Sequence, residues 1–199
     1  MKSNQKWLRM ALILVLMCAA GMGELTAQEQ AKNAQGKFPE LISENLEGRA
    51  MQLPKDFAGE RNLLLIAFQR AQQKNVDTWL KQTKRFTDLD RDLRVYEIPT
   101  IEKMNRMMRW IINSGMRSGI HDQEARARTV TLYIDKKPFC DSLKISDEKQ
   151  IYAMLVDKSG NVLWRASGDY DEKKGDSLQQ ALLSLRKPFT VSSVATPAN

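Results

Sequence analysis

The sequence is poor in the residues that carry redox and metal chemistry. Its 199 residues include two cysteines and a single histidine, His121. Because a structural zinc site takes about four ligands, these residue types alone cannot build one. No cysteine stands between Phe68 and Lys74, where the apolar run over residues 62–68 gives way to polar residues. We predict neither a metal site nor a cofactor.

The first 27 residues have the composition of a secretory signal peptide. Three basic residues, Lys2, Lys6 and Arg9, precede an apolar run over residues 10–20, and the small residue Ala27 follows. Such a run is too short for a membrane helix, which needs about 20 residues. We therefore predict export, with cleavage after Ala27 and a periplasmic or secreted mature protein.

Export leaves one thiol in the mature chain. Cys18 is expected to leave with the signal peptide. A lipoprotein anchor at Cys18 is disfavoured, because the bulky Met17 stands where such a site has a small residue. The remaining Cys140 has no intrachain partner, so a disulfide framework is excluded and stability must come from the core.

The chain has a net charge of +7, with basic and acidic residues intermixed. No basic run is interleaved with aromatic residues, which is the pattern of a nucleic-acid surface. We predict no nucleic-acid partner. A positive balance favours contact with anionic surfaces, and peripheral contact with a membrane is one such interaction.

Composition divides the rest of the chain into three parts. Residues 28–37 are polar and aperiodic, which predicts a flexible tether. Residues 188–199 are predicted to form a disordered tail. The segment between them, residues 38–187, is predicted to form one domain.

The first half of this domain has the pattern of a short approach segment followed by strand, helix and strand. Residues 38–59 hold short apolar groups separated by Pro and Gly, which is typical of a short hairpin or of an extended approach segment. The continuous apolar run 62–68 predicts a central strand. Helical spacing from Val76 to Phe86 predicts a helix capped by Asn75. Alternation over residues 93–98 predicts a second strand, parallel to the first and stopped by the proline that follows.

The second half predicts five further elements. A helix is predicted whose apolar side carries Ile101, Met104, Met108, Ile111, Ile112 and Gly115, and residues 129–134 have strand composition. Residues 151–157 and 161–167 flank a Lys-Ser-Gly turn and predict a hairpin. A last helix is predicted over about residues 172–185. The whole succession predicts an α/β fold with a mixed sheet and helices on both faces.

A series of short motifs extends over about residues 38–185. They are Phe38-Pro39, Asn45-Leu46-Glu47-Gly48, Leu53-Pro54-Lys55-Asp56-Phe57-Ala58-Gly59, Asn62-Leu63-Leu64-Leu65, Phe68, Trp79, Ile98-Pro99, Gly115-Met116-Arg117-Ser118-Gly119-Ile120, and Asp157-Lys158-Ser159-Gly160 leading to Trp164 and Gly168. In this order they resemble a thioredoxin-like domain of the peroxiredoxin branch. More closely, the chain is similar to the thioredoxin-like family of mitochondrial ATP synthase assembly factors and their uncharacterised bacterial relatives.

The resemblance implies a protein that binds another protein and helps to assemble it, without thiol chemistry. In that family the client is a membrane-embedded subunit of the rotary ATP synthase. The export signal distinguishes this chain from the mitochondrial members, so the identity of its client stays open.

The junction after Phe68 is where a redox enzyme of this fold keeps its thiolate, at a helix N-terminus that lowers the pKa of the thiol. Here the turn offers Ala71, Gln72 and Gln73, and none of them is a nucleophile. Gln69, Arg70 and Gln73 are a candidate polar rim for a bound peptide or anion. The alternative is a solvated loop.

Cys140 is the remaining candidate for redox chemistry. Lys136 and Lys137 precede it, and two cations could favour its thiolate. It is then a redox sensor or a mixed-disulfide anchor; the alternative is a buried or idle cysteine. His121 and Glu124 stand three residues apart, but too few ligands accompany them for a metal site.

The segment around residue 110 is the more informative surface. On a helical projection, one side carries Lys103, Arg106, Trp110, Asn113 and Arg117, opposite an expected core stripe of Met104, Met108 and Ile111, with Met107, Arg109 and Met116 at its border. A tryptophan beside arginines suits a partner hot spot or a lipid headgroup surface. The alternative is that Trp110 is covered by the tail, by residues 136–149, or by the tether.

Two functions follow from these features. The preferred hypothesis is an exported, non-catalytic thioredoxin-like protein that assists assembly of an envelope or membrane protein, with Lys103, Arg106, Trp110 and Arg117 as its contact patch. The competing hypothesis is a one-cysteine thiol oxidoreductase or peroxidase that uses Cys140.

Overall fold

The computed structural model describes residues 35–185, which form a seven-stranded mixed sheet and six α-helices. The strands are β1 (Leu41–Asn45), β2 (Ala50–Leu53), β3 (Arg61–Ala67), β4 (Leu93–Glu102), β5 (Val130–Ile134), β6 (Tyr152–Asp157) and β7 (Val162–Ser167). The helices are α1 (Gln73–Leu80), α2 (Thr83–Leu89), α3 (Arg106–Gly119), α4 (Gln123–Ala127), α5 (Lys136–Ser142) and α6 (Glu172–Ser184). The predicted signal peptide and tail, and the tether up to residue 34, lie outside the described residues.

The central strand β3 is an apolar run that is buried on both faces. It pairs in parallel with β4 and antiparallel with β6, in a sheet of order β2-β1-β5-β4-β3-β6-β7. Because side chains alternate along a strand, Leu63 and Leu65 enter one core cluster while Leu64 and Ile66 enter the other. The predicted central strand and mixed sheet are confirmed.

Helices cover both faces of this sheet, as predicted. On the face that carries Leu63, helices α1, α2 and α6 contribute Val76, Phe86 and Leu178 to the core. On the opposite face, α5 contributes Phe139 to the other cluster. None of the helices within residues 35–185 has the length and apolar composition needed to cross a bilayer.

Several residues of the family motifs have structural roles. Trp79 is fully buried, donates its indole N–H to the Gly168 carbonyl at 3.0 Å, and packs edge-on against Trp164 with ring centroids 6.0 Å apart. In the β6–β7 turn, Gly160 has φ +85°, and a Cβ there would lie 2.6 Å from the Phe38 carbonyl oxygen. Glycine is therefore required at this turn.

The first predicted helix is divided in two and begins earlier than expected. A 3-10 turn over Arg70–Gln72 leads directly into α1, and α2 follows after a short break. Asn75 lies inside α1 and is not its cap; its side-chain amide donates to the Asp169 carboxylate. The helical segment begins before Asn75 because the Gln72 side chain accepts the backbone N–H groups of Phe68 and Gln69, just ahead of the 3-10 turn.

The predictions around Pro99 also need correction. Strand β4 continues through Pro99 and then pairs with β5 through Thr100–Glu102. At the proline the strand therefore changes its paired neighbour from β3 to β5 and does not end. The next helix, α3, begins at Arg106. Its cap is Asn105, whose side chain accepts the backbone N–H of Met108 at 3.0 Å.

Candidate functional site

The junction between β3 and α1 is closed by a glutamine. The Gln72 side chain is buried, and its Oε1 accepts the backbone N–H groups of Phe68 at 2.8 Å and Gln69 at 3.2 Å. Its Nε2 donates to the Glu148 carbonyl at 2.8 Å. All its polar atoms are bonded, so the side chain that occupies this turn joins the junction to the segment before β6.

The predicted rim of the junction is exposed. Gln69 and Arg70 both face solvent. Gln73 donates from Nε2 to Glu97 at 3.0 Å and to Asp77 at 3.1 Å. Burial raises the pKa of the Glu97 carboxyl and Asp77 adds to the rise, while the hydrogen bond from Gln73 opposes it.

Glu97 also lines a groove of about 510 Å³ between α2 and α4. Leu93 and Val95 form part of its apolar floor, with Arg94 and Arg128 among the cations around it. Sequence reasoning missed both Glu97 and the role of Gln72, since the residues that surround them are distant along the chain.

Cys140 lies on α5, a helix that the sequence did not predict. It is the fifth of seven residues, so its thiol is away from the helix start. The side chain is half-buried against the core cluster around Phe139. Burial raises the pKa of the Cys140 thiol and the Glu148 carboxylate raises it further, with Lys136 opposing. Lys136 pairs with Glu148 and Lys137 with Asp141, so carboxylates that raise the pKa of the thiol accompany the lysines that were expected to lower it.

Helix α3 contacts the domain through Tyr133 of strand β5. The Arg109 guanidinium lies 5.2 Å from the centre of the Tyr133 ring, and the Tyr133 hydroxyl donates to Asn113 Oδ1 at 2.7 Å. Burial raises the pKa of Tyr133 to about 12, with Arg109 opposing. Arg109 and Asn113 therefore face the domain, although both were predicted on or beside the exposed patch.

The predicted core stripe of this helix was wrong. Met108 and Ile111 are 44% and 48% exposed, and Met104 precedes the helix. The side that packs instead holds Arg109, Ile112, Asn113 and Met116, all half-buried. The reason is the polar attachment to Tyr133, which turns the apolar side of the helix toward solvent.

The orientation of α3 leaves an apolar surface exposed to solvent. Among residues 35–185, six large apolar side chains are exposed, and four of them lie on α3. We define the α3 surface as Met107, Met108, Trp110 and Ile111 together with Lys103, Arg106 and Arg117. Trp110 is 70% exposed and Met107 is 72% exposed.

Residues 136–149 do not cover Trp110. They form α5 and the segment after it, which pack through Phe139 and Leu143 on the core cluster of the other face. The other two covers considered for Trp110 are the tail, which lies outside the described residues, and the tether, of which only residues 35–37 are described.

The predicted patch residues lie along one segment. Lys103 is an exposed residue before α3 whose backbone N–H bonds the Ile134 carbonyl at 3.0 Å, and Arg106 is the first helical residue. Arg117 lies in the last turn and donates from Nε to the Leu46 carbonyl at 2.7 Å.

Two other predicted site residues stand apart from that segment. Gln69 and Arg70 belong to the β3–α1 junction. His121 is exposed between α3 and α4, and the described part of the chain holds no cluster of acidic, His and Cys residues suited to a metal ion.

Solved structures share this architecture. A proposed electron transfer protein from Aquifex aeolicus VF5 matches with a TM-score of 0.53 and 11% identity, over 74% of this chain and 97% of that one. BsSco, of the Sco family of cytochrome c oxidase assembly proteins, matches with a TM-score of 0.51 and 14% identity, over 76% of this chain and 96% of that one. The thioredoxin domain of a thiol-disulfide oxidoreductase from Bacteroides vulgatus matches with a TM-score of 0.48 and 18% identity, over 74% of this chain and 96% of that one. The first two likenesses, whose TM-scores exceed 0.5, support a thioredoxin-like fold.

The domain is thus a thioredoxin-like protein with a glutamine closing the strand-to-helix junction. No curated protein sequence matches the chain significantly. The sequence profile described as ATP10 protein matches residues 28–185, which is most of the chain. The protein belongs to this family, and the predicted resemblance to ATP synthase assembly factors is confirmed.

Proposed function

We propose that the protein is an exported, non-catalytic thioredoxin-like protein that binds another envelope or membrane protein and assists its assembly. Membership of an assembly-factor family supports the general role. The α3 surface supports the mode of action, which is contact with a client.

The exposure of Trp110 is the observation that carries this proposal. Elsewhere in the described domain large aromatic side chains are buried or half-buried, but this indole projects into solvent beside Met107 and Arg106. Tryptophan and arginine are enriched among the residues that dominate binding energies. A helix that exposes both, with no buried residue of its own in the described structure, is suited to present them to a partner.

The closed junction supports the non-catalytic part of the proposal. A thiol enzyme of this fold needs a nucleophile at the start of the helix. Here the buried Gln72 occupies that turn, and its side chain has a structural role.

Site-specific photocrosslinking tests the proposed contact. A photoreactive amino acid at position 110 of the full chain, expressed in its native envelope, is expected to capture a defined protein. Trp110→Ala should abolish co-purification of that protein, whereas Leu183→Ala, which truncates an exposed apolar residue on α6, should not. Equal co-purification by both variants would refute the proposal.

Export is tested separately. Fractionation and N-terminal sequencing of the mature protein should place the first residue at Gln28, after Ala27. A cytoplasmic protein that retains Met1 would contradict this part of the proposal.

A one-cysteine oxidoreductase is the second candidate, because Cys140 borders a cavity of about 360 Å³ together with Lys136 and Glu148. It predicts disulfide or peroxide turnover with a dithiol reductant, abolished by Cys140→Ser. The position of Cys140 within its helix and the raised pKa of its thiol favour the assembly role instead.

A further inference from the structure

The exposed side of α3 changes in character along its length. Its first half projects Met107, Trp110 and Ile111. One and two turns further on, the same side carries small residues: Ser114, Gly115, Ser118 and Gly119. The helix therefore offers large side chains at one end and an almost bare backbone at the other.

Packing among residues 35–185 does not require glycine at position 115. A Cβ added there would meet no atom within 4 Å outside the helix's own backbone, and the residue does not have a positive φ. Glycine in a helix interior is destabilising relative to alanine. No contact within the described residues requires a small residue at Gly115, so the bare backbone there is open to a partner on the solvent side.

The charge of this segment defines the partner further. Between Lys103 and Gly119 there are four basic residues and no acidic one. Arg109 is turned toward Tyr133 and Arg117 donates to the Leu46 carbonyl, which leaves Lys103 and Arg106 beside the apolar side chains. A second copy of the chain would bring like charges together in a two-fold contact, which is unfavourable. A partner with carboxylates is complementary.

We propose that α3 binds one α-helix of the client, which carries an apolar stripe and acidic residues at its flank. This inference rests on the proposed function and specifies the partner at the same surface. Small residues allow two helix backbones to approach closely. Methionines adapt to the partner's side chains, and Lys103 and Arg106 face its carboxylates.

Mapped photocrosslinks test the helical partner. Photoreactive residues are placed singly at positions 107, 108 and 111, which already carry large exposed side chains, in the full chain in its native envelope. The adducts are located by mass spectrometry. The expected adducts fall on a single client segment, spaced by about three, four or seven residues, with Asp or Glu nearby. Adducts on lipid, on a second copy of this chain, or scattered over several client segments would overturn the inference.

Two substitutions separate this inference from the proposed function. Gly115→Ala is expected to leave Tm equal or higher, yet reduce the crosslink yield from position 111 roughly tenfold. Arg106→Glu should reduce it comparably, whereas Lys84→Glu, an exposed charge reversal on α2, should not. A client captured equally well by Gly115→Ala and Arg106→Glu would overturn the helical, acidic partner but leave the assembly role intact. Capture of no client at all would refute both.

Discussion

The side-chain amide of Gln72 donates to the backbone carbonyl of Glu148 across 2.8 Å, joining the β3–α1 junction to a residue 76 positions later. The same side chain accepts two backbone N–H groups from Phe68 and Gln69. The turn that holds a reactive thiol in redox enzymes of this fold is thus a point of structural attachment here. Its substitution should affect stability more than function.

Gln72→Ala is expected to lower the free energy of unfolding by about 2–3 kcal/mol, because it leaves buried backbone groups without partners. Urea denaturation of the purified domain measures this. The exposed neighbour Lys74 provides the control, since Lys74→Ala should change stability by less than about 0.5 kcal/mol. Similar effects of the two substitutions would show that the Gln72 bonds contribute little.

The Cys140 thiol should react slowly at neutral pH. Burial and the Glu148 carboxylate raise its pKa, so the thiolate fraction at pH 7 is smaller than in a free cysteine. Iodoacetamide alkylation, followed by mass spectrometry, is expected to reach its half-maximal rate at a higher pH than in an unstructured peptide that contains one cysteine. Faster alkylation than in that peptide at pH 7 would contradict this and favour the redox hypothesis.

Glu97 should make the domain less stable as the pH rises. Burial raises the pKa of its carboxyl above the value in the unfolded chain, so the folded state binds more protons between the two values. Its contribution is therefore most favourable below the unfolded pKa and declines as the pH rises through the folded one. Thermal melts of Glu97→Gln from pH 4 to 7 should lack this decline and give a higher Tm at pH 7. If the difference in Tm between Glu97→Gln and wild type is the same at every pH in that range, the raised pKa of Glu97 does not affect stability.

The elements of the sheet were predictable because their signals are local. The apolar run of β3 and the glycine turn between β6 and β7 lie within a few residues of the structures they determine. The Gln72 bonds and helix α5 were not predictable in this way. Gln72 finds its partner 76 residues away, and the helix that holds Cys140 is short, with a proline in its first turn.

The orientation of α3 could not be derived from periodicity. The segment has apolar residues on more than one side, so an apolar stripe could be drawn through Met108 and Ile111 as readily as through Ile112 and Met116. What decides between them is the contact with Tyr133, a residue of another strand. The prediction that Trp110 stands on the exposed side was nevertheless compatible with the structure, since both orientations leave it outward.

The orientation of α3 predicts opposite effects for two adjacent isoleucines, although the sequence placed both on the core side. Ile112 is half-buried against the domain and Ile111 is 48% exposed. Ile112→Ala should therefore lower the free energy of unfolding by about 1–2 kcal/mol, less than a fully buried site because the side chain is only partly enclosed. Ile111→Ala should change it by no more than about 0.5 kcal/mol, while weakening client capture. Chemical denaturation of both variants, with Leu183→Ala as the exposed control, measures the difference. A larger loss of stability for Ile111→Ala would restore the original core stripe and remove the apolar surface on which client binding depends.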